Sequence, residues 1–177
     1  MFLNYFKNTK NKDIKNAQTI YNEIININKL IISSKVNHDT NYLKNAIEIN
    51  ILIIFCIFFG SKLGTNHKNR ILCQEIMNLF INDLDYSFRF VGIGDMSIGK
   101  YVKKTVKKFY FRVNKLEDIF KINDFQAFYN YCKKIELFQN NQNKDKTIKF
   151  VFNNCIKLIN RTSKGHIDNS LLKRLFI

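Results

Sequence analysis

Apolar residues recur at three- and four-residue spacing along nearly the whole chain, which is the signature of amphipathic helices. Ile14, Ala17, Ile20, Tyr21, Ile24, Ile27 and Ile31 share one face of a first helix over roughly 13–33. A second begins at Asp39 or Thr40, both good N-caps, and runs to Phe59 before Gly60. The third covers roughly 67–91 and ends at Gly92, with Leu72, Ile76, Leu79, Phe80 and Leu84 turned inward. Ser97 caps a fourth that continues to Phe120, Asp124 caps a fifth to Phe138, and Thr147 opens a sixth through Ile159. Leu171 to Phe176 makes a short last turn, and Asn140 to Lys146 a polar loop. Strict alternation appears only over windows as short as Tyr86, Phe88 and Phe90, so a β-rich reading fails. The expectation is an all-α, single globular domain of six or seven helices over residues 1–177.

Within the second helix the run ILIIFCIFF, Ile51 to Phe59, has no polar member. A bilayer needs about 20 such residues, and Glu48 and Asn50 stand just before the run. The pattern therefore predicts a central helix buried on all sides, with membrane insertion as the alternative.

Composition changes this picture little. With 177 residues, no proline and no internal repeat or linker-like stretch, one core is expected. The net charge of +15 favours an anionic partner, but an excess of Lys, Asn and Ile also follows from an A/T-biased genome. Where the charge sits is more informative than its sum. Cys56, Cys73, Cys132 and Cys155 form no CxxC pair, so neither a disulfide framework nor a zinc site is expected, and the thiols read as free and buried in a reducing compartment. Met1 to Lys12 shows no apolar core and no small-residue cleavage site of secretory type, so no signal peptide is read.

The fourth helix concentrates the charge. At 100° per residue, Ile98, Val102, Val106, Phe109, Val113, Leu116 and Phe120 fall within a sector of about 80°. Opposite are Lys100, Lys103, Lys104, Lys107, Lys108, Arg112 and Lys115, with no acidic residue before Glu117. Phe111 points among those lysines and Tyr101 lies at their edge. A basic face with embedded aromatics suits anionic lipid, RNA or an acidic protein; the bland alternative is a solvated helix face.

Catalytic patterns are weak by comparison. Gly94-Asp-Met-Ser-Ile-Gly99-Lys100 has the letters of a phosphate-binding loop, but Tyr101 replaces the hydroxyl that should hold magnesium and the preceding residues read as helix. A helix-to-helix hinge explains the same letters. Asp83 and Asp85 form a DxD that falls on a helix, where residues two apart point to different sides, while Asp85 and Arg89 stand at ion-pair spacing. His38, His67 and His166 are isolated. No catalytic group, metal site or cofactor is predicted.

At this corner the sequence resembles a known family. Phe80 to Arg112, FINDLDYSFRFVGIGDMSIGKYVKKTVKKFYFR, is similar to the central signature of the ubiquinol-cytochrome c chaperone family. Asp83, Asp85, Arg89, Gly92, Gly94, Asp95, Gly99, Lys100, Val102, Lys103, Phe109, Tyr110 and Arg112 carry the resemblance, which is most specific over 75–120. Ala17-Gln18, Ile20-Tyr21, Val36, Asp39-Thr40 and the leucine-rich end at Leu171 to Phe176 add weaker support. His38 stands where the family has proline, and Phe111 where it usually has glycine.

The resemblance implies an all-α, non-enzymatic assembly factor for respiratory complex III. It would hold newly made cytochrome b, with a small partner protein, ribosome contact and peripheral association with an anionic membrane, and without DNA. The expected location is the cytoplasmic face of a bacterial inner membrane, or the matrix side of the mitochondrial inner membrane. Gly92, Gly94, Asp95, Gly99, Lys100, Tyr101, Tyr110 and Phe111 are the expected client or partner contacts. Lys103, Lys104, Lys107, Lys108, Arg112 and Lys115 are the expected contacts to an anionic surface. The competing reading is a ribosome- or RNA-binding basic helical protein with no respiratory role.

Overall fold

The computed structural model describes residues 2–33, 42–64, 69–138, 143–167 and 169–176. Among them are seven helices: α1 (Phe2–Ser33), α2 (Tyr42–Leu63), α3 (Asn69–Phe90), α4 (Asp95–Lys121), α5 (Phe125–Lys134), α6 (Lys144–Ser163) and α7 (Asn169–Phe176). The all-α expectation holds. Val36, His38, Asp39, Thr40 and His67 lie outside the described residues, as do residue 139 and 140–142 of the polar loop.

Helix α2 is the axis of the fold. Every residue from Ile47 to Ile57 is buried, and α1, α3, α4 and α6 pack around it. It is long and apolar enough to cross a membrane by length and composition, yet most of that stretch is covered by protein. Four rings from four helices lock the centre. Phe120 of α4 lies 5.7 Å from Phe55 of α2, 5.5 Å from Phe128 of α5 and 5.4 Å from Phe152 of α6. Each fully buried phenylalanine of this kind contributes about 1.5–3 kcal/mol from the area it removes from water.

Gly60 does not end α2 as the sequence suggests; the helix continues to Leu63. The glycine is there for a close approach. A Cβ at Gly60 would stand 1.7 Å from Thr162 Oγ1 and 2.6 Å from the Ile159 carbonyl oxygen, and one at Gly64 would stand 2.5 Å from the Ser163 carbonyl oxygen. The α2–α6 contact, the most extensive between any two helices, runs through this seam.

Other boundaries shift for local reasons. Helix α4 starts at Asp95 with Gly94 as its N-cap, not at Ser97, whose amide instead donates to the Gly94 carbonyl at 2.8 Å. Thr147 lies in the first turn of α6, with its amide bonded to Asn143, and does not open the helix. Helix α5 stops at Lys134 because Glu136 and Phe138 adopt left-handed backbone angles (φ 61° and 64°), and Leu137 and Phe138 turn back into the core. Ile14 is more exposed than its place in the pattern suggests, whereas Ala17, Ile20, Tyr21, Ile24 and Ile27 are buried as expected. Asp124 caps α5 as read, accepting from the Ala127 amide at 2.9 Å.

Candidate functional site

The α3–α4 corner is built by its glycines. Gly92 (φ 86°) ends α3 in a Schellman motif: its amide donates to the Arg89 carbonyl at 2.9 Å, and the Ile93 amide to Phe88 at 3.0 Å. Only glycine takes that left-handed angle without steric cost. Arg89 then bridges the two helices, donating to Asp85 on α3 at 2.7 Å and to Asp95 in the first turn of α4. The hydrogen bond from Arg89 to Asp85, with Asp95 close by, raises the guanidinium pKa further. Asp83 accepts a hydrogen bond at 2.9 Å from Tyr21 of α1. Burial, reinforced by Asp83, pushes the Tyr21 hydroxyl well above its ordinary pKa, so it stays a donor.

The DxD pair is therefore bracing: Asp83 is tied to α1 through Tyr21, and Asp85 holds Arg89 of its own helix, which reaches on to Asp95 of α4. No group of three or more His, Cys, Asp or Glu placed to hold a metal occurs among the described residues. The Gly94–Lys100 segment is a helix cap followed by the first turns of α4, and the element before it is a helix instead of the strand a phosphate loop requires.

A groove of about 550 Å³ opens between the two helices beside this corner. Ile81, Val102 and Val106 give it apolar walls, and Asn82, Asp85 and Lys103 place polar groups at its edge. A Cβ at Gly99, which also lines it, would meet nothing within 4 Å. The groove is a shallow trough suited to an extended apolar face.

The expected site residues divide into four groups. Gly92, Gly94, Asp95, Gly99, Lys100, Tyr110 and Phe111 are all solvent-exposed around the corner and the outer face of α4. Tyr101 is half-exposed and packs on Phe88 with centroids 5.8 Å apart, while Phe109 is core, as its place in the apolar stripe implies. Lys103, Lys104, Lys107 and Lys115 are exposed and have no carboxylate partner among the described residues.

Lys108 and Arg112 differ from the solvent-facing set in which the sequence places them. Both turn to Glu48 of α2, whose side chain is 1% exposed. Lys108 Nζ lies 2.7 Å from Oε1, while Arg112 donates through Nη2 to Oε1 at 3.0 Å and through Nε to Oε2 at 3.2 Å. The Arg112 guanidinium also lies 5.6 Å from the centre of the Tyr131 ring. Arg112 sits at the margin of the apolar stripe, one turn before the buried Leu116, and that position was the signal that it faces inward. A buried acid needs such partners, because an unpaired carboxylate is strongly disfavoured away from water.

Phe90, Val91 and Met96 were not among the expected contacts, yet Met96 and Phe90 are the most open apolar side chains of the corner and Val91 beside Phe90 is half-exposed. Their exposure depends on where α3 ends and how the turn splays, which the periodicity does not encode.

The family model described as Ubiquinol-cytochrome C chaperone matches residues 41–124, which span α2, α3 and α4 and so the entire corner and groove. No curated protein matches the chain. Its fold is similar to that in the crystal structure of the Cbp3 homolog from Brucella abortus, with a TM-score of 0.73 and 21% sequence identity, covering 97% of this chain and 93% of that one. The likeness of fold runs almost end to end, and the family match takes in the whole corner and groove: residues 41–124, just under half of the chain, carry the region described by the ubiquinol-cytochrome C chaperone family model.

Proposed function

We propose that this protein is an assembly chaperone for ubiquinol-cytochrome c reductase, complex III, and that its client is newly made cytochrome b. The observation that carries the reading is the coincidence of the family match with the α3–α4 corner and its groove. A holding chaperone needs an apolar surface that a client segment can enter and leave, and no catalytic group. The walls Ile81, Val102 and Val106 supply that surface, and the client's apolar helix face is the fitting occupant. The protein works beside the membrane into which the client inserts, on the cytoplasmic side in a bacterium or the matrix side in a mitochondrion, together with a small partner protein.

Deletion of the gene tests this through the b-haem absorbance of membranes and the level of assembled complex III, both of which should fall. Capture of the tagged chain should recover unassembled cytochrome b, and Val106→Asp, which puts a charge on the groove wall, should abolish that recovery while leaving the protein folded. Normal b haems after deletion would remove the reading.

A further inference from the structure

We infer that the α3–α4 corner is a membrane-docking wedge, whose apolar tip enters the headgroup region of an anionic bilayer while the outer face of α4 lies on the lipid phosphates. The inference deepens the membrane-side placement proposed above and is independent of which client fills the groove.

The tip consists of Phe90, 83% exposed, Met96, 100% exposed, and Val91 between them. Such side chains at the point of a turn are costly to leave in water unless something covers them. The acids near the tip, Asp85 and Asp95, both pair with Arg89, which cancels one of their two negative charges, and the single charge left over is outweighed by the four lysines behind the tip. Behind the tip, Lys100, Lys103, Lys104 and Lys107 share a sector of about 100° with Met96 and Phe111. Each is exposed and unpaired among the described residues. An apolar point backed by a collar of ammonium groups is the complement of a headgroup layer with acyl chains beneath.

The chemistry favours lipid over RNA. Phe90 and Phe111 offer rings, but they are separated by aliphatic Val91 and Met96 and do not form a stacking platform, and the planar guanidinium forks beside this face are occupied, Arg89 by Asp85 and Asp95 and Arg112 by Glu48. Lysines remain, and as point charges they suit a fluid anionic surface. The groove opens on the adjoining side of α4, through Gly99, Val102 and Val106, so a docked protein holds its trough next to the bilayer.

The chain contains no tryptophan, so Met96→Trp gives a single reporter at the tip. With vesicles of phosphatidylcholine plus phosphatidylglycerol, its emission should shift to the blue and be quenched by lipids brominated on their acyl chains. With phosphatidylcholine alone, binding should be weak. Lys103→Gln with Lys104→Gln should weaken binding to the anionic vesicles by about 25-fold, or about fivefold per lysine, and flatten its salt dependence. Phe90→Ser with Met96→Ser should weaken it by more than about tenfold with the salt dependence kept. Lys149→Gln with Lys157→Gln, on the exposed side of α6, should change it less than about twofold per lysine if the contact is specific to α4. Unchanged melting temperatures verify that the variants are folded. Tryptophan emission from the Met96→Trp variant that is neither shifted nor quenched on anionic vesicles overturns the proposal, as does equal loss from the α6 pair. So does an α4 lysine pair that abolishes binding to an RNA oligonucleotide while vesicle binding stays intact. Failure on vesicles would leave the deletion phenotype untouched, so the two readings fail separately.

Discussion

Replacing both cations around Glu48, by Lys108→Met with Arg112→Met, leaves a carboxylate whose side chain is 1% exposed with no partner, inside the most apolar helix of the fold. Breaking a buried pair in this way costs about 3–5 kcal/mol, because the stranded charge cannot recover its hydration. For a chain of this size that lowers the melting temperature by roughly 6–20 °C, at ~2–4 °C per kcal/mol. The opposite perturbation should be mild. Glu48→Met removes the buried charge itself, and Lys108 and Arg112, 33% and 18% exposed, retain a path to water. That variant should stay within about 1 kcal/mol of the parent, since an apolar side chain of similar volume often replaces a buried ion pair at no loss. Adding Glu48→Met to the double variant should recover most of what the double lost, and the coupling between the three sites is the quantity of interest. Reversible urea unfolding followed by far-UV circular dichroism measures all four proteins. If Glu48→Met alone costs as much as removing both cations, the cluster is a net stabiliser and the desolvation argument fails. If the double variant is neutral, Glu48 reaches solvent and the described burial is wrong.

Four further outcomes follow from the same geometry. Gly60→Ala forces a Cβ into Thr162 and the Ile159 carbonyl and should cost about 1–3 kcal/mol in urea unfolding, whereas Gly99→Ala meets open space and should be neutral or stabilising by up to about 1 kcal/mol. Gly92→Ala places a Cβ at φ 86° and should cost about 1–2 kcal/mol, with Gly92→Asn costing less. Hydrogen bonds from Lys62 and Lys121 hold the Glu117 carboxyl below its ordinary pKa, so its stabilisation is complete above the unfolded-state value of about 4.3 and lost as pH falls through the lower folded value; between about pH 6 and about pH 3 the urea midpoint of Glu117→Gln should fall less than that of the parent. Burial raises the thiols of Cys56, Cys73 and Cys132, and only Cys73 is partly open, so a thiolate-selective reagent at neutral pH should titrate at most one cysteine in the native protein and all four in urea.

The features legible in the sequence are those set by residues close together in the chain. The apolar stripe of α4 placed Phe109 and Leu116 in the core, Asp124 announced the start of α5, and Gly92 announced the left-handed end of α3. The family signature was legible for the same reason, since its letters cluster in one stretch. What could not be read depends on a second helix. Gly60 looked like a terminator because nothing in its neighbourhood reveals that α6 passes within contact distance a hundred residues later. Lys108 and Arg112 looked like part of a solvated face because their partner, Glu48, lies 60 and 64 positions away on α2. Glu136 and Phe138 in left-handed backbone break a helix that periodicity alone would extend, because burying Leu137 and Phe138 outweighs continuing the helical ladder.

The glycine seam between α2 and α6 also constrains how the molecule is made. The flank of α2 that α6 covers acquires its partner only after Lys144–Ser163 has been synthesised, so the uncovered hydrocarbon waits on the order of 5–20 s at ordinary elongation rates. During that interval the nascent chain carries a sticky rod of the same character as the subunits it is proposed to protect. A chaperone with this topology is, at birth, in need of shelter itself.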